Sequence, residues 1–311
     1  MIYFIIRQFF YSLLIILGVM TVTFGIVRVL PGDPARLMMG QRADMQSIEA
    51  LRRQWKLDQP LYIQYGDFIL RAATGDLGRS FSFNRPVVET LLEKAPATAI
   101  LALTSLTIAS MLGIAIGVIS AWKPYTLFDT GSMIFALLGI SVPVFVFGLL
   151  LIVLTTALGI YPGVGYIFRG PRLQLQYLLL PMIALAARPL SIIARITRSS
   201  MLDVLSQDYV RTARAKGVSV RSVVLKHALR NALNPVVTTI SAWLAGTLAG
   251  TLFIEAIFYW PGIGQLAYEA VRQLDFPMIQ GTVLFTAVVF VVINFIVDIL
   301  YTFLDPKVRL Q

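Results

Sequence analysis

The chain has 311 residues, of which 57% are hydrophobic and only 14% charged. Its mean hydropathy is +0.78, so an ordinary soluble domain is excluded and a bilayer is the main solvent. A formal charge of +10 suits cytoplasmic loops that collect Lys and Arg, and no nucleic acid is expected as a partner. Cysteine is absent and His227 is the single histidine, so disulfides and thiolate chemistry are excluded and neither a metal nor a cofactor is expected.

The apolar residues come in long runs, and six of these can cross roughly 30 Å of hydrocarbon at about 1.5 Å per residue. They are Phe9–Leu30, Thr98–Ala121, Gly131–Leu158, Leu178–Ile196, Val236–Phe258 and Thr282–Phe303. The fold class is therefore all-α, a polytopic membrane protein with six transmembrane helices. The first run lies behind Arg7 with no small-x-small cleavage site after it, and it reads as a span that stays. Between Pro31 and Ala97 the chain carries helix signals of its own, an extracytoplasmic helical segment. Asp44 can cap a turn whose Ile48, Leu51 and Trp55 share a face, and Pro60 suits the opening of a helix with Leu61, Tyr65 and Phe68. This segment is either a packed cap or a platform for an outside partner. The organisation expected is 1–97 for the first span with its outer segment, 98–304 for the remaining transmembrane domain with a loop at 197–233, and 305–311 for a tail.

An even number of spans puts both termini on one side, and Lys and Arg in the short loops choose the side. Arg7, Lys123, Lys307, Arg309 and the cations from Arg195 to Arg230 fall together, against only Arg169, Arg172 and Arg272 in the short loops opposite. Both termini are therefore expected in the cytoplasm. So is the basic stretch DYVRTARAKGVSVRSVVLKHALRNAL, Asp208–Leu233.

In helical registration Tyr209, Ala213 and Gly217 share a stripe, with Arg211 and Arg214 beside it. Gly217 can turn left-handed and end the helix, after which Val220, Val223, Val224, His227 and Ala228 define the apolar side of a second one. Asn234 and Pro235 suit the cap and first turn of the fifth span. Such cations can hold topology and touch anionic lipid heads. A helix, Gly, helix pattern with a small-residue stripe is explained in addition by a docking surface.

This loop resembles the signature of inner-membrane permease subunits of binding-protein-dependent ABC importers: Glu-Ala-Ala, three residues, Gly, then nine residues to Ile-x-Leu-Pro. Aligned on Gly217, Arg211-Thr212-Ala213 stands at the first triplet and His227-Ala228-Leu229-Arg230 at the last, so only Ala213, Gly217 and Leu229 fit the general pattern. YVRTARAKG followed by HALRNAL is similar to the dipeptide, oligopeptide and nickel permease branch. So are Leu30-Pro31-Gly32-Asp33-Pro34, Gly75-Asp76-Leu77-Gly78 with Pro86, Trp260-Pro261-Gly262-Ile263-Gly264, and Asp298 with Leu304-Asp305-Pro306.

The resemblance implies the type I ABC importer transmembrane fold in a bacterial inner membrane. It also implies a second homologous permease, two cytoplasmic ATPase subunits and an extracytoplasmic substrate-binding protein as partners, with lipid around the spans. It assigns ATPase coupling to Tyr209, Arg211, Thr212, Ala213, Arg214, Lys216, Gly217, His227 and Arg230. Di- or oligopeptides are the expected cargo, with a nickel chelate or glutathione as alternatives.

No G-x-x-x-x-G-K-[ST] occurs, so ATP hydrolysis is expected on a separate subunit and no catalytic residue is assigned. Arg188 and Glu255 lie within spans, where charge points to a pathway; either can meet a substrate terminus or pair structurally. Asn294 and Asp298 suit hydrogen bonds between helices, and Gly246 and Gly250 suit close packing, either against a paired permease or within the chain's own core. A stand-alone secondary transporter, the rival from a different class, would show inverted repeats and more midplane ionisable groups. A membrane enzyme would need a nucleophile or metal constellation that the chain lacks.

Overall fold

The computed structural model describes residues 2–29, 45–54, 58–161, 163, 175–249 and 251–304. The Leu30–Pro34 motif, the Asp44 cap, Trp55, Arg169, Arg172, Gly250 and Asp305-Pro306 lie outside the described residues, as does the side chain of Leu51. Among the described residues thirteen α-helices follow one another: α1 (Ile2–Val29), α2 (Met45–Gln54), α3 (Leu61–Ala73), α4 (Val87–Trp122), α5 (Leu127–Ser141), α6 (Val144–Ala157), α7 (Leu175–Leu205), α8 (Asp208–Ala215), α9 (Val220–Ser222), α10 (Leu229–Ala249), α11 (Leu252–Phe258), α12 (Ile263–Arg272) and α13 (Phe276–Leu304). A π-helical turn, Val223–Ala228, joins α9 to α10. Among the described residues there is no strand, only an isolated bridge between Arg79 and Pro86.

Among the described residues four helices, α1, α4, α7 and α13, are long and apolar enough to cross a membrane alone, and the pairs α5–α6 and α10–α11 bring the total to as many as six. The run Gly131–Leu158, expected as one span, is bent by 110° between α5 and α6. The cause is Val142-Pro143. Val142 is extended (φ −80°, ψ 125°), because the ring of a following proline disfavours the helical region and a β-branched residue yields first. Pro96, Pro181, Pro189 and Pro235 instead stay inside helices. Hence α4 begins at Val87 and not near Thr98, and Asn234-Pro235 does not open a span: the backbone is helical without a break from Val220 to Ala249.

The chain divides into two compact units, one formed by 1–97 with 261–311 and the other by 98–260. In the first unit α1 lies along α13, and Gln8 Nε2 donates to Asp298 Oδ2 at 2.6 Å. Asn294, by contrast, donates to the Phe290 carbonyl of its own helix. Helix α3 packs on α1 through Tyr65 and Phe68, whose rings stand 5.3 and 6.0 Å from Phe24, while Leu61 is exposed. Ile48 is buried. Val87 and Leu91 at the start of α4 pack with Ile263, Leu266, Ala270 and Met278. The buried Asp275 caps α13: it accepts from Met278 N at 3.2 Å, from Ser80 Oγ at 2.5 Å and from Ser82 N at 3.0 Å.

In the second unit α7 is central. A Cβ on Gly117 of α4 would fall 2.5 Å from Thr197 Cβ and 2.7 Å from the Ala194 carbonyl, so only glycine lets α4 lie this close to α7. Helix α5 is tied to α7 by a bidentate ion pair, Arg198 Nε to Asp129 Oδ1 at 2.5 Å and Arg198 Nη2 to Asp129 Oδ2 at 2.7 Å. Asp129 is buried and also accepts from Tyr125 N at 2.8 Å. Removing either partner would leave a buried charge unpaired, at a cost of about 3 kcal/mol.

Candidate functional site

The basic stretch folds as two helical pieces around a turn. Helix α8 ends on Gly217, whose φ is +79°. Val218 N donates to the Ala213 carbonyl at 3.3 Å and Gly217 N to the Arg214 carbonyl at 3.0 Å. This is the Schellman closure, and Val218 and Ala213, the two residues it brings together, both pack against the same apolar cluster.

That cluster explains why the loop is ordered. Val210, the only large aliphatic residue in DYVRTARA, is fully buried. It meets Val118 and Ala121 from α4, Met201 and Val204 from α7, Val223, Val224 and Ala228 from the π-helical turn, and Ala232 from α10. Burying one valine side chain is worth about 1.5–3 kcal/mol. Ser200 Oγ adds a hydrogen bond from α7 to the Ala232 carbonyl at 3.0 Å. The loop is thus one body with the ends of three long helices.

The expected coupling residues fall into two groups. Ala213 is half-buried against the cluster. Tyr209 is tied within the loop, its hydroxyl accepting from Asn231 Nδ2 at 2.8 Å and donating to the His227 carbonyl at 3.4 Å. Of the Tyr209–Ala213–Gly217 stripe only Ala213 therefore turns inward, while Tyr209 stays exposed. The outer face of α8 is Asp208, Arg211, Thr212 and Ala215, with Arg214 and Lys216 on the flanks, all exposed. Arg211 touches Asp208 only at 3.5 Å, with side chains 73% and 96% accessible, a pair too solvated to contribute much. Gly217 and Arg230 are also exposed.

His227, expected on an apolar side, is exposed, as is Val220, while Val223, Val224 and Ala228 are buried. The wide π-helical turn inserts an extra residue, which re-phases the pattern and turns position 227 outward. Sequence reading passed over Val210 although a lone valine among polar neighbours marks the anchor. It also counted Arg198 as a topology charge, and nothing local in the sequence links it to Asp129, 69 positions away.

Arg188 stands exposed on α7 with its guanidinium 6.0 Å from the centre of the Trp243 ring, at the edge of cation–π reach. Glu255 is fully buried and accepts from Thr251 Oγ1 at 2.7 Å. It belongs to the interior of the second unit. A Cβ on Gly246 would meet nothing within 4 Å, so this glycine is not used for packing inside the chain. Among the described residues no group of three or more His, Cys, Asp or Glu is placed to hold a metal.

A helical membrane chain with a basic, Gly-hinged loop fused to its long helices defines the class, and comparison with known proteins agrees. Residues 113–310 match the family of binding-protein-dependent transport system inner membrane components, and residues 1–102 match the N-terminal membrane component of such systems. The chain is 43% identical over 298 residues, covering 95% of both chains, to a putative peptide transport system permease protein of Brucella abortus (strain 2308). It is 38% identical to the dipeptide transport system permease protein DppB of Alkalihalophilus pseudofirmus over 95% of this chain and 96% of that one. It is 44% identical to the glutathione transport system permease protein GsiC of Escherichia coli O6:H1 over 94% of each. The chain belongs to the binding-protein-dependent inner membrane component family and is a permease of an ABC importer.

Proposed function

We propose that this permease forms half of a translocation path for di- or oligopeptides, a second homologous permease supplying the other half. Two cytoplasmic ATPase subunits drive it and an extracytoplasmic binding protein delivers the cargo. Both termini and the 197–233 loop face the cytoplasm, and 31–97 faces outward, as the short-loop Lys and Arg bias favours. The peptide assignment is supported by the names of the relatives; glutathione, itself a tripeptide, is the nearest alternative.

The observation that carries the coupling role is the shared cluster around Val210. A load on the outer face of α8 passes through Val210 into α4, α7 and α10 without a flexible joint. The docking face is centred on Asp208, Arg211, Thr212 and Ala215, with the exposed Tyr209 at its edge, Ala213 anchoring it from within and Gly217 fixing the turn. Arg214, Lys216, His227 and Arg230 flank it as exposed groups.

The experiment is co-purification of the ATPase subunits with Gly217→Val. A β-branched residue held left-handed costs roughly 1–2 kcal/mol or more, so ATPase capture and substrate-stimulated hydrolysis are expected to fall while membrane insertion persists. Wild-type values for both would reduce the loop to a topological anchor. Orientation is read in the same background, which has no cysteine. An impermeant thiol reagent outside the cell is expected to label Tyr62→Cys but not Ser219→Cys, and the reverse pattern overturns the topology.

A further inference from the structure

Helix α7 carries a second set of cations that the coupling role leaves unused. Arg188, Arg195 and Ser199 recur at seven and eleven residues, which places them on one face of the helix over about 16 Å, and all three are exposed. Among the described residues neither Arg188 nor Arg195 forms an ion pair, whereas Arg198, turned to the adjoining side, is held by Asp129. Glu255, the other charge expected within the spans, is buried and accepts from Thr251. Asp203 lies beyond the stripe at the loop end and is exposed.

The backbone beside Arg188 is polar as well. Pro189, inside the helix, has no N–H to give the Leu185 carbonyl, so this carbonyl lacks its helical donor. Trp243 of α10 flanks the site at 6.0 Å from the Arg188 guanidinium. Helices α7 and α10 run antiparallel here, since Ser200 reaches Ala232 while Arg188 reaches Trp243. Thr239, one turn from Trp243, therefore comes to about the level of Ile192. Two unneutralised guanidiniums and a hydroxyl on one exposed face do not suit hydrocarbon, and such a face is tolerated where it lines water.

We propose that the Arg188–Arg195–Ser199 face of α7 lines the translocation path and is a two-step site for carboxylate groups of the transported solute, such as a free C-terminus. Guanidinium forks bind carboxylates in paired hydrogen bonds, and two of them about 10 Å apart along the helix let one carboxylate pass from the first to the second. This rests on the permease reading above but not on the coupling loop.

The test uses single cysteines in the assembled importer, reconstituted with its ATPase and binding protein. Ile192→Cys and Ser199→Cys report on this face, and Leu179→Cys, exposed on the opposite side of α7, is the control. Two water-soluble methanethiosulfonates of similar size are compared, one with a sulfonate and one with a trimethylammonium group. Positions 192 and 199 are expected to react with the anionic reagent on the order of tenfold faster than with the cationic one, as a focused positive field requires. Adding Arg188→Gln or Arg195→Gln should remove most of that preference, and Leu179→Cys should stay unreacted. Equal rates for the two reagents overturn carboxylate selection. No reaction at 192 and 199 overturns the path, the face then being covered by lipid or by the partner permease. Uptake of trialanine is measured alongside and is expected to fall at least fivefold in the double Gln variant. Unchanged uptake would also overturn the proposal. ATPase co-purification and basal hydrolysis are followed throughout: their loss in the wild-type assembly indicts the coupling reading, while the labelling preference judges this one.

Discussion

Helices α8 and α11 close with the same pair of hydrogen bonds, yet one turn is made by Gly217 and the other by Tyr259. At α8 the left-handed residue has φ +79° and the bonds run from Val218 N and Gly217 N. At α11 Tyr259 has φ +50°, Trp260 N donates to the Glu255 carbonyl at 2.8 Å, and Tyr259 N donates to the Ala256 carbonyl at 3.5 Å. A left-handed L-residue costs roughly 1–2 kcal/mol. The glycine turn avoids that cost and needs little else: a Cβ on Gly217 would meet nothing within 4 Å. The tyrosine turn is instead held by its follower, since Trp260 is almost wholly buried while Tyr259 itself is exposed. One turn is set by its own backbone, the other by the burial of its neighbour.

The sharpest way to break this comparison is Trp260→Ala. Loss of a fully buried indole is expected to destabilise by about 3–5 kcal/mol, read as a lower unfolding temperature of the purified importer. A loss under about 1 kcal/mol would mean that the tryptophan does not hold the turn. Next comes Gly217→Ala, expected to cost roughly 1–2 kcal/mol through the backbone alone. Hydrogen exchange of peptides spanning 208–218 should quicken, with Gly217→Asn giving a smaller effect because asparagine tolerates this conformation. Equal exchange in wild type and the alanine variant would show that the closure is not what orders α8. The smallest effect, of opposite sign, is expected for Tyr259→Gly: relief of the left-handed cost, partly offset by backbone entropy, gives a gain of up to about 1 kcal/mol. A clear loss would reveal that the exposed ring has a partner in the assembled complex.

The same contrast explains what was legible in the sequence. Gly217 announces its turn because only glycine is at ease there, and the all-α membrane class follows from apolar runs that need no tertiary information. Tyr259 announces nothing, since its conformation depends on Trp260. The bend at Val142-Pro143 was hidden in an unbroken apolar run, where hydropathy carries no record of direction. Of the residues expected to couple, Tyr209, Arg211, Thr212, Arg214 and Lys216 are exposed. Ala213 packs against the loop's own cluster, which its sequence does not announce, because a small residue on a stripe looks the same whether it meets a partner or its own core. His227 was misplaced by a π-helical turn, for which the residue types give no warning. The Asp129–Arg198 pair joins positions that only the packing of α5 on α7 brings together.

The unbroken helical course from Val220 to Ala249 has a mechanical meaning. A rod of roughly 30 residues is about 45 Å long at 1.5 Å per residue. Tilted by about 5° around the Val210 cluster, which holds the rod between Val223 and Ala232, it would displace its far end by about 2–3 Å, roughly half a helical turn. If α8 does receive the stroke of an ATPase, the chain has no need to carry a large movement through the membrane. A rotation too small to disturb the loop's own packing becomes, at the other end of the lever, a shift large enough to open or shut a path.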